Sequence, residues 1–500
     1  MDRQGKLKLN TSVAFINQIV TLVCGFVLPR LILSKYGSSV NGLVTSISQF
    51  LGLITLCELG VGAVVQSALY KPLAYNDRNG ISRIMISARK FFHKVGFILL
   101  AYVTVLMLTY PLTVKEEFKF FSTVFLIGAI SISFFAQYFF GITNQLLLNS
   151  DQKAYLPLVF QIVSTVLNVI ASVVLINLGA SIQIVKLTTS LVFLIRPIAL
   201  YIYVNRKYDI NYSLKLKGEP IAQKWNGLAQ HIASVVQGNT PTIVLTFFST
   251  LVKVSIFNVY NLVVNGLKQI IVSLTTGVSA LFGNMLAKNE EKEINATFNT
   301  VEWWIHTITT LVFTVAGVLI VPFVRVYTDG VVDANYIQPL FGVVLVLSGA
   351  VYCLRLPYSI IVLAAGHYKQ TQASAIIEVI VTVVVALSLV FFADLFAVAF
   401  SLLAAMIYRT MYYVLYLKKH LLKRSLSLFI KQMLVDGVTV VLIVFATVFI
   451  PLQSLSYFSW IVLAIEVLAI AVGICLVVNF LLYKENTTAF LGKFIKGKRK

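Results

Sequence analysis

The stretch FVLPRLILSKYGSSVNGLVTSISQFLGLITLCELGVGAVVQSALYK, from Phe26 to Lys71, decides the fold. It holds the end of one apolar run, a short polar turn and nearly all of a second apolar run. Each run is long enough to cross a bilayer, which takes roughly 20 apolar residues as a helix. Yet Arg30 directly follows Pro29, and Glu58 lies deep inside the second run. Charge at membrane depth is costly, so it usually faces a bundle interior or a water-filled path. The plainer alternatives are that Arg30 snorkels to the interface and that Glu58 is a neutral, hydrogen-bonded core acid.

The rest of the chain repeats this pattern. A 500-residue chain that is 58% hydrophobic, only 12% charged and of mean hydropathy +0.88 lies far from soluble composition, for which about 25% charge is usual. Fourteen candidate spans follow one another, near 10–34, 41–67, 95–113, 121–149, 155–178, 183–204, 227–250, 254–286, 301–325, 337–364, 370–392, 396–417, 432–452 and 458–482. No polar stretch between them is long enough for a separate soluble domain. The first run lacks a small-residue cleavage site and reads as an uncleaved span. Cys24, Cys57, Cys353 and Cys475 all lie in apolar runs, as small core hydrophobes do, and suggest neither disulfides nor metal.

The net charge of +21 invites a nucleic-acid reading, but the placement of the charge argues for membrane orientation. With the N-terminus inside, the outer segments hold only Lys35, Lys115, Lys119, Lys253 and Arg325, and the span interiors hold Arg30, Lys186, Arg196, Lys268, Arg355 and Arg409. Every other Lys and Arg falls on the inner side, as the positive-inside rule requires of a cytoplasmic face. Both termini are therefore expected in the cytoplasm, with a basic tail after the last span. Residues 71–93 contain a basic amphipathic piece (Ile84, Met85, Ile86, Phe91, Phe92) suited to lying along the inner membrane surface.

A polar hinge with Gly218 and Pro220 follows the sixth span. It prompts a search for an internal repeat. Gly60–Lys71, GVGAVVQSALYK, aligns with Gly277–Lys288, GVSALFGNMLAK, at a fixed offset, matching at Gly60/Gly277, Val61/Val278, Ala63/Ala280, Leu69/Leu286 and Lys71/Lys288. Both segments end the second span of a six-span unit and run the same way. The expected organisation is an N-terminal lobe over 1–204, a cytoplasmic hinge over 205–226, a C-terminal lobe over 227–417, and two added spans with a tail over 418–500.

Three stretches resemble bacterial Wzx-type flippases, in the polysaccharide-transporter branch of the multidrug/oligosaccharidyl-lipid/polysaccharide exporter superfamily. They are YGSSVNGLVTSISQFLGLITLCELGVGAVVQSALYKPL (Tyr36–Leu73), QKWNGLAQHIASVV (Gln223–Val236) and VNGLKQIIVSLTTGVSALFGNMLAKNE (Val264–Glu290). The resemblance implies an all-α polytopic protein of about fourteen transmembrane helices, with two parallel-repeat six-helix lobes around a central cavity and two extra C-terminal helices. It implies alternating access, the last two spans helping to hold a lipid tail, and an undecaprenyl-pyrophosphate-linked oligosaccharide as substrate. That substrate would move from the cytoplasmic to the outer leaflet of the bacterial cell membrane for capsule, exopolysaccharide or O-antigen synthesis. Similar proteins tend to carry an acid after the Asn-Thr of the seventh span, whereas here Pro241 follows Asn239 and Thr240.

Counting residues back from the inner span ends puts Glu58, Arg196, Arg355, Glu378 and Arg409 at one depth, roughly 12–14 Å in, with Lys268 near mid-membrane. Guanidinium stays protonated and forks onto phosphate oxygens, so a cationic layer suits pyrophosphate. The candidate pyrophosphate-binding residues are Arg30, Arg196, Lys268, Arg355 and Arg409. Arg355 and Glu378 lie on consecutive spans at equal depth and also fit a structural ion pair. Gln66, Asn144, Gln145 and Asn239 are candidate sugar contacts, although such residues also glue helices together. Glu58 and Glu378 are candidate sites for coupling to a proton or sodium gradient. Glu302, Asp436, His231 and His306 lie at inner span ends and read as interfacial. No Walker A loop, HExxH motif or metal-spaced Cys/His cluster occurs, so neither an enzyme nor a cofactor is expected, while other polysaccharide-assembly proteins are conceivable partners. A cationic-drug exporter of the same superfamily should have an acidic site, against the excess of intramembrane cations. A membrane-embedded sugar polymerase or ligase usually needs a sizeable outer loop, and the longest here runs only from Val326 to Tyr336.

Overall fold

The computed structural model describes residues 3–58, 60–214, 228–288, 290–422 and 424–488. Among these residues the secondary structure is helical throughout, without a strand. The first compact unit, Met1–Ser255, contains α1 (Arg3–Tyr36), α2 (Ser38–Gly52), a 3₁₀ turn (Leu53–Glu58), α3 (Val61–Ala74), α4 (Arg78–Thr113), α5 (Phe120–Ala136), a π turn (Gln137–Gly141), α6 (Ile142–Ser150), α7 (Tyr155–Asn177), α8 (Ile182–Phe193), α9 (Ile195–Lys207) and α10 (Leu228–Phe248). The second unit, Ile256–Lys500, holds most of α11 (Leu251–Ala287), then α12 (Glu291–Tyr327), α13 (Pro339–Leu354), α14 (Leu356–Ala364), α15 (Gln372–His420), α16 (Leu426–Thr447) and α17 (Tyr457–Leu482).

Eleven helical segments of the described residues are long and apolar enough to span a bilayer. One of them, α15, is 49 residues long and contains Ala393 at φ −157°, ψ 68°, where two helices join without a loop. Its two parts cover the spans expected at 370–392 and 396–417. Helices α10 and α11 cover those expected at 227–250 and 254–286. The fourteen expected spans are therefore all helical, and the chain is a multi-pass membrane protein. Its exterior carries large apolar side chains such as Phe97, Leu108, Phe121, Phe449 and Leu481, which hydrocarbon tolerates and water does not.

Within the first unit, small residues let backbones meet. A Cβ on Gly42 would lie 1.8 Å from the Leu251 carbonyl oxygen, so only glycine fits between α2 and the start of α11. Asn41 donates to Ser255 Oγ at 2.8 Å, and the Ser46 and Thr246 hydroxyls meet at 2.7 Å. Close contact through small and hydroxyl residues is how helices associate in lipid, where burying apolar surface gives little drive. These contacts tie α10 to the first unit. Gly218 and Pro220 of the expected hinge lie outside the described residues.

The amphipathic piece within residues 71–93 is not a surface helix. It forms the first turns of α4, with Ile84, Met85, Ile86 and Phe92 all buried in the core of the unit. Nearby, Asn10 on α1 clamps the turn between α6 and α7: its Nδ2 donates to the Gln152 carbonyl at 3.0 Å, and its Oδ1 accepts from the Tyr155 amide at 2.9 Å. In the same turn Lys153 pairs with Asp151 at 2.6 Å and donates to Tyr208. Burial opposes the Lys153 charge, but these bonds to Asp151 and Tyr208 outweigh it and hold the ammonium above the usual lysine range.

Candidate substrate and coupling sites

In the first unit the singled-out residues gather at helix irregularities. Glu58 ends the 3₁₀ turn, and Gly60 at φ 72° then caps α3, a left-handed conformation that glycine adopts without a Cβ penalty. Tyr138, on the π turn, donates to Glu58 Oε1 at 2.7 Å. His231 Nε2 donates to the Thr55 carbonyl at 2.7 Å, a bond that puts the ring proton on Nε2. Arg196 stands just past the break between α8 and α9, and its Nη2 donates to Gln145 Oε1 at 2.9 Å. Its Nε has no hydrogen-bond partner among the described residues. Arg30 is half-buried on α1, and Glu58 takes its hydrogen bond from Tyr138.

The candidate sugar contacts differ in how far they are already engaged. Asn144 and Asn239 each donate to a carbonyl four residues back on their own helices, Phe140 and Val235. Gln66 is half-buried on α3. Gln145 accepts from Arg196 and lies 3.5 Å from the Gln137 amide.

The second unit brings four of the predicted residues into one cluster. Arg355 Nη1 donates to Glu378 Oε1 at 3.0 Å, the pair expected from equal depth. Arg409 Nε lies 3.5 Å from Glu378 Oε2, so the carboxylate sits between two guanidinium groups. Arg409 is 1% exposed, and its other nitrogens donate to Ser374 Oγ at 2.7 Å and Tyr413 Oη at 2.9 Å. It is fixed in the bundle and does not snorkel. Lys268 Nζ lies 4.5 Å from the centroid of the Tyr352 ring, and Arg355 Cζ lies 4.9 Å from the same centroid. Such contacts stabilise a cation without cancelling its charge. Two guanidinium groups thus share one carboxylate, Lys268 stands beside Arg355 at the Tyr352 ring, and the Arg355 Nε has no hydrogen-bond partner among the described residues.

Reading Glu302, His306 and Asp436 as interfacial does not survive the structure: they are 2%, 0% and 6% exposed. Depth counted from the start of the apolar run misplaces them, because α12 begins at Glu291, well before Glu302, and α16 and α17 pack over that end. Tyr358 donates to Glu302 Oε1 at 2.5 Å, Arg424 forks onto both Glu302 oxygens, and His306 Nδ1 lies 2.6 Å from Asp436 Oδ2. The signal available in the sequence was the Glu302/His306 spacing of four, which puts both on one helix face.

Asp436 also lines a cavity of about 740 Å³ between α12, α13, α16 and α17. Its walls are apolar, with Phe313, Val346, Val440 and Leu463 among them, and Thr309, Thr310 and Thr314 supply the polar exceptions along α12.

Among solved structures the chain is similar to the lipid II flippase MurJ in its inward closed conformation, with a TM-score of 0.70 and 15% identity over 95% of this chain and 99% of that one. It is also similar to an inward-facing MATE-family multidrug resistance transporter of the MOP superfamily, at TM-score 0.58 and 12% identity over 82% and 98% of the two chains. A eukaryotic MATE transporter, AtDTX14, matches at TM-score 0.56 and 13% identity over 87% and 100%. No family model and no curated protein matches the sequence. The fold is that of the MurJ and MATE transporters.

Proposed function

We propose that this protein is a flippase that carries an undecaprenyl-pyrophosphate-linked oligosaccharide from the cytoplasmic to the outer leaflet by alternating access, its termini in the cytoplasm. The observation that carries this reading is the cluster in which Arg355 and Arg409 share the single carboxylate Glu378 while Lys268 stands beside Arg355 at the Tyr352 ring. A buried site with surplus positive charge is costly until an anion arrives, and a pyrophosphate supplies that anion. Arg355 offers a free Nε–H and Lys268 a compact point charge. Arg409 positions Glu378 and, through it, Arg355. Within the first unit, Arg196, with its own free Nε–H, is a separate candidate phosphate contact, and Gln145 beside it and Gln66 are that unit's candidate sugar contacts. The apolar cavity beside Asp436 suits the polyprenyl tail. The likeness to a lipid II flippase supports this reading over drug export, for which an acidic site would be expected.

The test is translocation of a fluorescent undecaprenyl-pyrophosphate-linked disaccharide across vesicles containing the purified protein. Lys268→Ala and Arg196→Ala should cut the rate per folded protein about ten- to a hundred-fold, the loss of one charge-assisted contact at roughly 1.5–3 kcal/mol. Near-normal rates for both would end the anionic-substrate reading and favour export of a cationic solute.

A further inference from the structure

The polar knot of α12, α14, α16 and α17 does not belong to the cationic cluster, and its charges do not balance. Glu302 and Asp436 are two buried carboxylates, and the guanidinium they meet is that of Arg424, which forks onto Glu302 alone. With His306 neutral the group carries one net negative charge away from water, an arrangement that proteins avoid or neutralise. The one added charge that balances the set is a proton on the imidazole–carboxylate pair.

The hydrogen bonds show where that proton goes. Tyr358 has one hydroxyl proton, and at 2.5 Å it is given to Glu302 Oε1. The Tyr358 oxygen, 3.3 Å from His306 Nε2, is then free to accept from that nitrogen. His306 Nδ1 faces Asp436 Oδ2 at 2.6 Å. Asp436 Oδ1 is held by the Gln432 amide at 3.2 Å, which favours an oxygen that keeps its charge. When His306 holds both ring protons, each has an acceptor. When it holds one, Nε2 faces the Tyr358 oxygen without a proton to share. The chain Asp436–His306–Tyr358–Glu302–Arg424 is thus complete only when protonated.

Among the described residues, the other ionisable groups facing the pair leave this count unchanged. Cys475 and Tyr483, from α17 and its end, lie within electrostatic reach of Asp436. Lys431 on α16 is exposed and stacks on the Tyr483 ring at 5.1 Å. The part of α13 on the cavity wall is apolar.

We propose that His306 and Asp436 form the proton-binding site of this transporter, and that the site reports on the adjoining cavity, because Asp436 is both a proton ligand and part of the wall. This rests on the transport reading, and it moves ion coupling from Glu58 and Glu378 to a site nearer α16 and α17. A tail seated against Asp436 would exclude water and favour the neutral, protonated form. Release of the tail would admit water and let the proton go.

Two measurements test the proposal. In lipid nanodiscs, ¹⁵N-histidine spectra resolve the five histidines, with His306 assigned by replacing His93, His231, His367 and His420 in turn. As pH is varied, His306 should exchange between its one-proton and two-proton forms, and Asp436→Asn, which removes the carboxylate facing Nδ1, should deplete the two-proton form. A His306 signal fixed in one state across the range overturns the proposal. In vesicles, an imposed pH gradient should accelerate flipping of the fluorescent polyprenyl-pyrophosphate disaccharide by the native protein and leave Asp436→Asn at its gradient-free rate. If Asp436→Asn responds to the gradient as the native protein does, the coupling role fails while the flippase reading stands. If the native protein flips no probe yet His306 titrates, the flippase reading fails and the proton site stands.

Discussion

The two units hold their membrane-depth charges in opposite ways. In the first, Glu58 and Arg196 are tethered by neutral partners, Tyr138 and Gln145. In the second, charges hold one another, with Glu378 between Arg355 and Arg409. A charge held by a neutral donor or acceptor keeps its full value for a ligand. A charge held by its opposite is largely spent, and removing one member exposes the other. The irregularities in the two fourth spans echo this difference. The π turn at Gln137–Gly141 presents Tyr138, and the junction of α13 and α14 presents Arg355 at the same repeat offset as Gly60 and Gly277.

The largest expected effect tests the second unit. Glu378→Gln leaves two buried guanidinium groups uncompensated and should cost about 3–5 kcal/mol, seen as a collapse in folded yield and thermal midpoint. Glu58→Gln keeps an acceptor for Tyr138 and should cost no more than roughly 1.5 kcal/mol. Equal losses would erase the distinction between the units. Arg355→Ala should be milder than Glu378→Gln, since Arg409 still holds the carboxylate, and the Arg355→Ala, Glu378→Gln double variant should not recover full yield.

Next comes the chemistry of the cations. Arg196→Lys should lose flipping about ten-fold or more, because an ammonium cannot hold Gln145 and fork onto a phosphate together. Lys268→Arg should keep most activity, since its site asks for charge and an aromatic face. The opposite ranking would place the forked contact in the second unit.

The backbone gives a smaller effect. Gly60→Ala meets no atom within 4 Å, so its cost is the left-handed backbone alone, about 1–2 kcal/mol by thermal midpoint. Gly277, its repeat partner, lies inside the continuous helix α11. The smallest expected effect is no rescue at all: swapping Arg30 and Glu58 should not restore activity lost in the single variants, because Glu58 is held by Tyr138.

Much of this architecture is legible in the chain. Apolar run lengths gave the helices, and counting depth brought Arg355 to Glu378. The same counting failed for Glu302, His306 and Asp436, because it measures distance along one helix and is blind to the neighbours that cover it. Arg409 reaching Glu378 was equally hidden, since it depends on side-chain direction across a bundle. The 3₁₀ and π turns carry no composition signal. Gly60 and Pro197 mark the neighbourhood of two breaks without saying which carbonyls they release.

The clamp made by Asn10 has a consequence in time. Its amide reaches Tyr155, 145 positions further along the chain. At typical rates of synthesis that interval lasts roughly seven to thirty seconds. Through it the first span waits in the insertion machinery or the lipid without α7, the helix it packs against in the finished unit. Assembly of this half of the molecule therefore closes backwards, the earliest helix being locked only when the seventh emerges.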